Sequence, residues 1–208
     1  MTPALTDLAE EIRTRSAGRA RFIVGIAGAP GSGKSTLADQ LAALLGDGAA
    51  VLPMDGYHLD NDQLRDMGLF ERKGAPETFD AAGYAALLRQ VRAGGDVAYP
   101  TFDRAADRTV PGGGRVTADT RILLAEGNYL LLNEPPWSGL AEQFDMTVRL
   151  DVPRAELERR LIARWLDHGL SEQAARARAQ GNDLVNADRV IAGAAPADVV
   201  LRDTAVGK

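Results

Sequence analysis

Residues 21–45 read RFIVGIAGAPGSGKSTLADQLAALL, and this stretch decides the fold. Phe22 to Ala27 is a short apolar run with Ile23, Val24 and Ile26, the pattern of a strand buried on both faces. Gly28, Ala29, Pro30, Gly31, Ser32, Gly33, Lys34 and Ser35 then fit G-x-x-x-x-G-K-[ST], with Thr36 next. A helical pattern starts at once, with Leu37, Leu41, Leu44 and Leu45 on one face. Strand, glycine loop and helix start together read as a phosphate-binding loop. The glycines let successive backbone N–H groups converge on phosphate oxygens without Cβ clashes, and the helix adds the positive end of its dipole. Lys34 would bridge the β- and γ-phosphates of a nucleotide, and the Ser35 hydroxyl would ligate Mg²⁺. Lysine is scarce elsewhere, since Lys34, Lys73 and Lys208 are the only three.

A chain of 208 residues suits one domain over 1–208, and at that size a core forms without metal or disulfide staples. There is no cysteine, which removes disulfides, thiolate nucleophiles and zinc–sulfur sites from consideration and suits a reducing, cytoplasmic setting. MTPALTDLAEEIRTRSAG, at the start, carries acids early and lacks the apolar segment of a signal peptide; no stretch approaches a membrane span. The net charge of −5 argues against a general nucleic-acid binder. The basic residues are nearly all arginine, and several cluster between Arg149 and Arg178, as a solvated helix face or as an anion-facing group.

In chain order, Thr6 would cap a helix over Asp7 to Arg15. Ala50 to Met54 is a second apolar strand, succeeded by Asp55-Gly56-Tyr57-His58. Ligands of open parallel sheets bind outside the carboxyl ends of the strands, so Asp55 stands where a base or a magnesium ligand would face a γ-phosphate. The same Asp-Gly pair also fits an Asx-turn cap. His58 reads equally as a substrate contact or a surface-loop histidine. A helix is expected from Asp80 to Gly94, and the glycines 112–114 read as a hairpin tip or mobile loop. Arg121 to Ala125 is a third strand ending in Glu126, which reads as a second magnesium element or a capping carboxylate. Asp145 to Val152 is a fourth strand, and Pro153 opens a helix over Arg154 to Asp167 with Arg160 and Arg164 one turn apart. A further helix covers Gln173 to Ala179; Asn182, Asp183 and Asn186 end that segment, and Ala197 to Leu201 makes a final strand. The two arginine-bearing helices, at about 154–182, would close over bound ATP as a small helical lid. The resulting fold is α/β: a P-loop NTPase fold with a mostly parallel sheet and helices on both faces.

Several stretches taken together resemble the phosphoribulokinase/uridine kinase family, which includes type I pantothenate kinases and small bacterial fructose transport system kinases. They are GAPGSGKST, MDGYH, KGAPETFD, YPTFDR, LLAEGNYLL and RRLIARWLDHGLS, in the family's order from Gly25 to about Ser171. The resemblance implies an ATP- and Mg²⁺-dependent kinase with Asp55 as general base, Lys34 and Ser35 on phosphates and metal, and Glu126 supporting the metal. It implies Arg164, with Arg160, as lid arginines that stabilise transition-state charge. Tyr57, His58, Lys73, Phe79, Arg104 and Tyr129 would meet the acceptor. The acceptor is expected to be a small hydroxylated molecule, a sugar such as fructose, with pantothenate or a nucleoside as alternatives. A nucleotide-hydrolysing ATPase and a non-catalytic nucleotide-binding regulator stay open as other classes. No nucleic-acid or membrane partner is expected, and the protein would be a monomer or homodimer.

Overall fold

The structure, a computed structural model, describes residues 3–202; the ends of the expected 1–208 domain lie outside them. Five strands form one parallel sheet: β1 (Phe22–Gly28), β2 (Ala49–Pro53), β5 (Ile122–Gly127), β6 (Met146–Asp151) and β7 (Val199–Arg202). Their spatial order is β2-β5-β1-β6-β7. Every residue of β1 is buried, as its unbroken apolar run requires. Alternate side chains feed two cores. Phe22, Val24 and Ile26 join one with α1 (Pro3–Ser16) and α2 (Lys34–Leu45); Ile23 and Ala27 join the other with α4 (Ala81–Ala93), α5 (Arg154–Asp167) and α7 (Leu184–Gly193). The α/β class with helices on both faces therefore holds.

Register sets up the site. Pro53 of β2 and Ile26 of β1 both stand opposite Glu126 of β5, so three neighbouring strands reach their carboxyl ends in one row. The Asp55 turn, Asn128 and the glycine loop come directly after these strands and are delivered to the same edge.

Three expectations are corrected. The first helix starts at Pro3, leaving Thr6 inside it rather than capping it. The glycines 112–114 are no hairpin tip: they lie within β4 (Arg108–Val116), antiparallel to β3 (Val97–Asp103) in a separate two-stranded ribbon, and the tip is 104–107. Gly114 lies opposite Tyr99, whose ring occupies the space a Cβ there would need. Finally, Asn182, Asp183 and Asn186 do not end a helix. After α6 (Glu172–Arg178) the chain passes through a π turn at Ala179–Asp183 directly into α7. These polar residues stay buried there because Asn182 donates to the Lys73 carbonyl at 2.9 Å and Asn186 to Asn182 at 3.4 Å. The remaining short helix, α3 (Asn61–Asp66), closes a capping box between Asp60 and Gln63. No helix among the described residues is long and apolar enough to cross a membrane.

Candidate active site

The loop from Gly28 to Ser35 leaves the buried end of β1 and turns into α2 through Gly33, which caps that helix with φ of 90°. Such a backbone angle suits glycine and points the first N–H groups of α2 into the loop. Ala29 and Ser32 are buried, and the Ser32 hydroxyl has no hydrogen-bond partner among the described residues. Pro30 and Gly31 line the cleft above the loop, while Thr36 is exposed on the first turn of α2. Lys34 Nζ lies 4.0 Å from Glu126 Oε2, and Ser35 Oγ donates to the same oxygen at 3.2 Å.

Glu126 is 4% exposed. Burial, reinforced by the negative charge of Asp55, raises its pKa; Lys34 and the Ser35 hydrogen bond act the other way. The buried Glu126 carboxylate, the Ser35 hydroxyl and the nearby Asp55 carboxylate offer hard oxygen donors that suit Mg²⁺, while the Lys34 ammonium beside them suits phosphate oxygens. Among the described residues, no group of three or more His, Cys, Asp or Glu could hold a metal ion by itself.

Asp55 sits on a single 3-10 turn, Met54–Tyr57, anchored by the fully buried Met54. Its carboxylate accepts a hydrogen bond from Arg104 of the ribbon tip at 2.5 Å. A cleft of about 180 Å³ runs from Gly31 and Lys34 to Asp55, His58 and Arg104. A wider outer cleft of about 570 Å³ shares Lys73, Phe102, Arg104 and Arg164 with it and extends to Phe70 and His168.

His58 stacks on Phe79 at 4.0 Å between ring centres and tilts against Phe102 at 4.7 Å. Burial, aided by Lys73 and opposed by Asp55, lowers its pKa to about 4, so the imidazole is neutral at physiological pH. Lys73 lines the cleft but is engaged by Asn61 Oδ1 at 2.7 Å and Asp107 Oδ1 at 2.8 Å. Arg160 donates to Glu156 at 2.7 Å and to the Ser32 carbonyl at 3.4 Å, tying α5 to the glycine loop. Arg164 donates to Asp183 at 3.3 Å and lines the cleft.

Two of the expected acceptor residues lie elsewhere. Tyr129 is fully buried, packs on Phe79 and Trp137, and donates to the Gly74 carbonyl at 2.5 Å; it shapes the wall from behind. Tyr57 turns its ring onto Tyr84 of α4 at 5.3 Å, and burial together with Asp80 pushes its pKa up to about 12. Other residues do line the cleft: Asn128, Phe102, Trp165, Arg178, Asp183 and Asn186. Asn128, Phe102 and Trp165 fall inside stretches legible as motifs; Arg178, Asp183 and Asn186 are brought in by the π turn and by helix pairing.

The pattern that defines the Phosphoribulokinase / Uridine kinase family matches residues 23–174, and the chain belongs to that family. It is a P-loop kinase of the uridine and pantothenate kinase type. A Silicibacter sp. TM1040 protein, provisionally described as a fructose transport system kinase, superposes with a TM-score of 0.92 at 48% identity, covering 97% of this chain and 99% of that one. The uncharacterized protein YggC of Escherichia coli (strain K12) is 37% identical over 193 residues, 90% of this chain and 80% of its own. A pantothenate kinase of Mycolicibacterium gilvum is 32% identical over 151 residues, and the match spans 70% of this chain but only 48% of that enzyme.

Proposed function

We propose that this protein is a cytoplasmic kinase that uses ATP and Mg²⁺ to phosphorylate an alcohol oxygen of a small metabolite, most plainly a sugar. One observation carries the reading: the glycine loop, Asp55 and Glu126 end three neighbouring strands and converge on one edge. A phosphate cradle facing a carboxylate across a cleft is what transfer to an acceptor needs. Fructose is the first acceptor to test because of the likeness to the Silicibacter protein. Pantothenate or a nucleoside is the alternative, given the pantothenate kinase relatives and a Schizosaccharomyces pombe protein provisionally described as a uridine kinase.

In this reading Lys34 and the loop N–H groups hold the β- and γ-phosphates, and Ser35 with Glu126 would hold Mg²⁺, which neutralises phosphate charge when bound. Asp55 takes the proton of the acceptor hydroxyl while a bond forms between that oxygen and the γ-phosphorus. The bond from phosphorus to the ADP oxygen breaks in the same step. Arg104 orients the Asp55 carboxylate, and Arg164 supplies positive charge to the phosphoryl group in flight. His58, Lys73 and Phe79 bound the acceptor, and helices 154–182 close over the nucleotide. Screening sugars, nucleosides and pantothenate for acceptor-dependent ADP release tests this. ADP release that no acceptor stimulates would favour an ATPase, and ATP binding without turnover would favour a regulator.

A further inference from the structure

Lys73 lines the cleft, yet its ammonium is bound to the tip of the β3–β4 ribbon. It donates to Asn61 Oδ1 at 2.7 Å, to Asp107 Oδ1 at 2.8 Å and to the Asp107 carbonyl at 3.1 Å. An ammonium has three N–H donors, so this set uses all of them and leaves none for a ligand. Asn61, the first residue of α3, closes the triangle by donating to Asp107 Oδ2 at 3.1 Å and to the Asp107 carbonyl at 3.4 Å. The Lys73 side chain is only 12% exposed, and its ammonium lies 5.0 Å from the centre of the Phe102 ring. Burial works against charge on Asp107, but the hydrogen bonds from Lys73 and Asn61 outweigh it and hold the carboxyl below its usual range. Asp107 also has φ of 49°, and no other non-glycine residue among those described has a positive φ. Such an angle costs backbone energy and persists where the surroundings impose it.

Asp107 is the last residue of the ribbon tip, and Arg104 is the first. Within the tip, the N–H groups of Ala105 and Ala106 both donate to Asp103 Oδ1 at 3.0 Å, so the four residues form one compact turn. Arg104 is 67% exposed, and an ion pair that open to solvent is too weak to hold the tip through Asp55. Thr109 adds a bond to the His58 carbonyl at 3.1 Å, but it anchors β4 and not the tip. The tip is therefore set from outside the ribbon, through Asp107. We propose that Asn61 and Asp107 are positioning residues for phosphoryl transfer: together with Lys73 they fix the ribbon tip so that Arg104 meets Asp55. Neither touches the reacting atoms. Their effect on rate rests on the kinase reading above, whereas their hold on the tip does not.

Hydrogen–deuterium exchange on the full-length protein reads that hold without turnover. Asp107→Gly leaves the positive φ open to the backbone and removes the carboxylate, which separates the side-chain contact from backbone strain. The amides of residues 104–107 should exchange faster by about tenfold to a hundredfold in Asp107→Gly, the range for lost charge-assisted hydrogen bonds, with β1 and the glycine loop unchanged. Asn61→Ala should move the same amides in the same direction, by less. Arg104→Ala should leave them as in the parent. Unchanged exchange in both Asp107→Gly and Asn61→Ala overturns the proposal, and so does equal acceleration in Arg104→Ala.

Whichever sugar, nucleoside or pantothenate turns over supplies the second readout. Asp107→Gly should lower kcat by about a hundredfold with KM for ATP unchanged, as for a displacement of about 1 Å near the reacting group. Asp107→Asn keeps an oxygen for Lys73 and tolerates the backbone angle, so it should recover part of the loss. In an Arg104→Ala background Asp107→Gly should cost less than about threefold more, because the arginine it serves is gone. Losses that multiply in the double variant, or full kcat in Asp107→Gly, overturn the proposal and leave the kinase intact. Faster tip exchange in a protein that phosphorylates no acceptor supports the hold on the tip and counts against the kinase reading.

Discussion

Gly56, next to Asp55, packs backbone against the β3–β4 ribbon with no room for a side chain, and Gly56→Ala tests what holds the carboxylate in place. A Cβ at this position would lie 1.9 Å from the Pro100 carbonyl oxygen and 2.6 Å from the carbonyl carbon. Both atoms are backbone, so no rotamer change relieves the contact. Ordinary carbon–oxygen contacts begin at about 3.3 Å, so turn and ribbon must part by about 1.4 Å. Overpacking of this kind costs about 1–3 kcal/mol, and rigid neighbours put Gly56→Ala near the top of that range. For a chain of this size about 2–3 kcal/mol lowers Tm by about 4–12 °C. The movement separates Asp55, carried by the turn, from Arg104, carried by the ribbon tip. A displacement of about 1 Å at a reacting group costs about a hundredfold in rate. Thermal unfolding and acceptor-dependent ADP release measure the two effects, while ADP affinity should hold because the glycine loop belongs to β1. Unchanged melting and unchanged turnover in Gly56→Ala would refute the idea that this approach positions Asp55.

Asp55→Asn should lower turnover by about 10² to 10⁴ with ADP affinity nearly intact, as for a lost general base; equal loss of nucleotide binding would make it a metal or structural residue. Lys34→Ala should weaken both nucleotide affinity and turnover, and near-normal activity would sink the phosphate-loop reading. Chelation by EDTA should abolish ADP release and added Mg²⁺ should restore it; activity indifferent to chelation would remove the metal from the mechanism. His58 carries a stability signature. Its pKa falls from 6.5 to about 4 on folding, so the unfolded chain binds the proton first as pH drops. The stability it protects is present above pH 6.5 and is lost on descending toward about pH 4, with about 2 kcal/mol gone between pH 7 and pH 5. Urea unfolding of the parent and of His58→Phe at both pH values checks this, and an identical pH dependence in the two would remove His58 as its source.

Local pattern carries the legible part of this molecule. Short apolar runs mark strands, and in a parallel sheet the residue after each run is delivered to the ligand edge, which is why Asp55 and Glu126 can be found from position alone. The glycine loop declares its own backbone geometry. Side-chain direction is a different matter. Tyr57 and Tyr129 sit in the right turns but point into packing, Tyr57 toward α4 and Tyr129 toward Trp137, a choice made by burial rather than by spacing. Trp165, Arg178 and Asp183 are out of reach for another reason. Their meeting depends on the pairing of α5 with the α6–α7 helix, and buried asparagine and aspartate read locally as helix ends. The hydrogen bond of Asn182 to the Lys73 carbonyl spans 109 positions of chain, beyond any local pattern.

The π turn at Ala179–Asp183 has a consequence for chain length. A π turn holds one residue more than the α turn it replaces, and each helical residue rotates the chain by about 100°. Deleting the exposed Gly181 would let α6 run on in α register and spin α7 by that angle. Leu184, Ala187 and Val190 would leave the core together, and Asn186 would swing off the cleft. A single-residue gap here is therefore no neutral loop edit. It rewrites which side chains face the acceptor, so indels at this spot in related chains should coincide with a change of substrate.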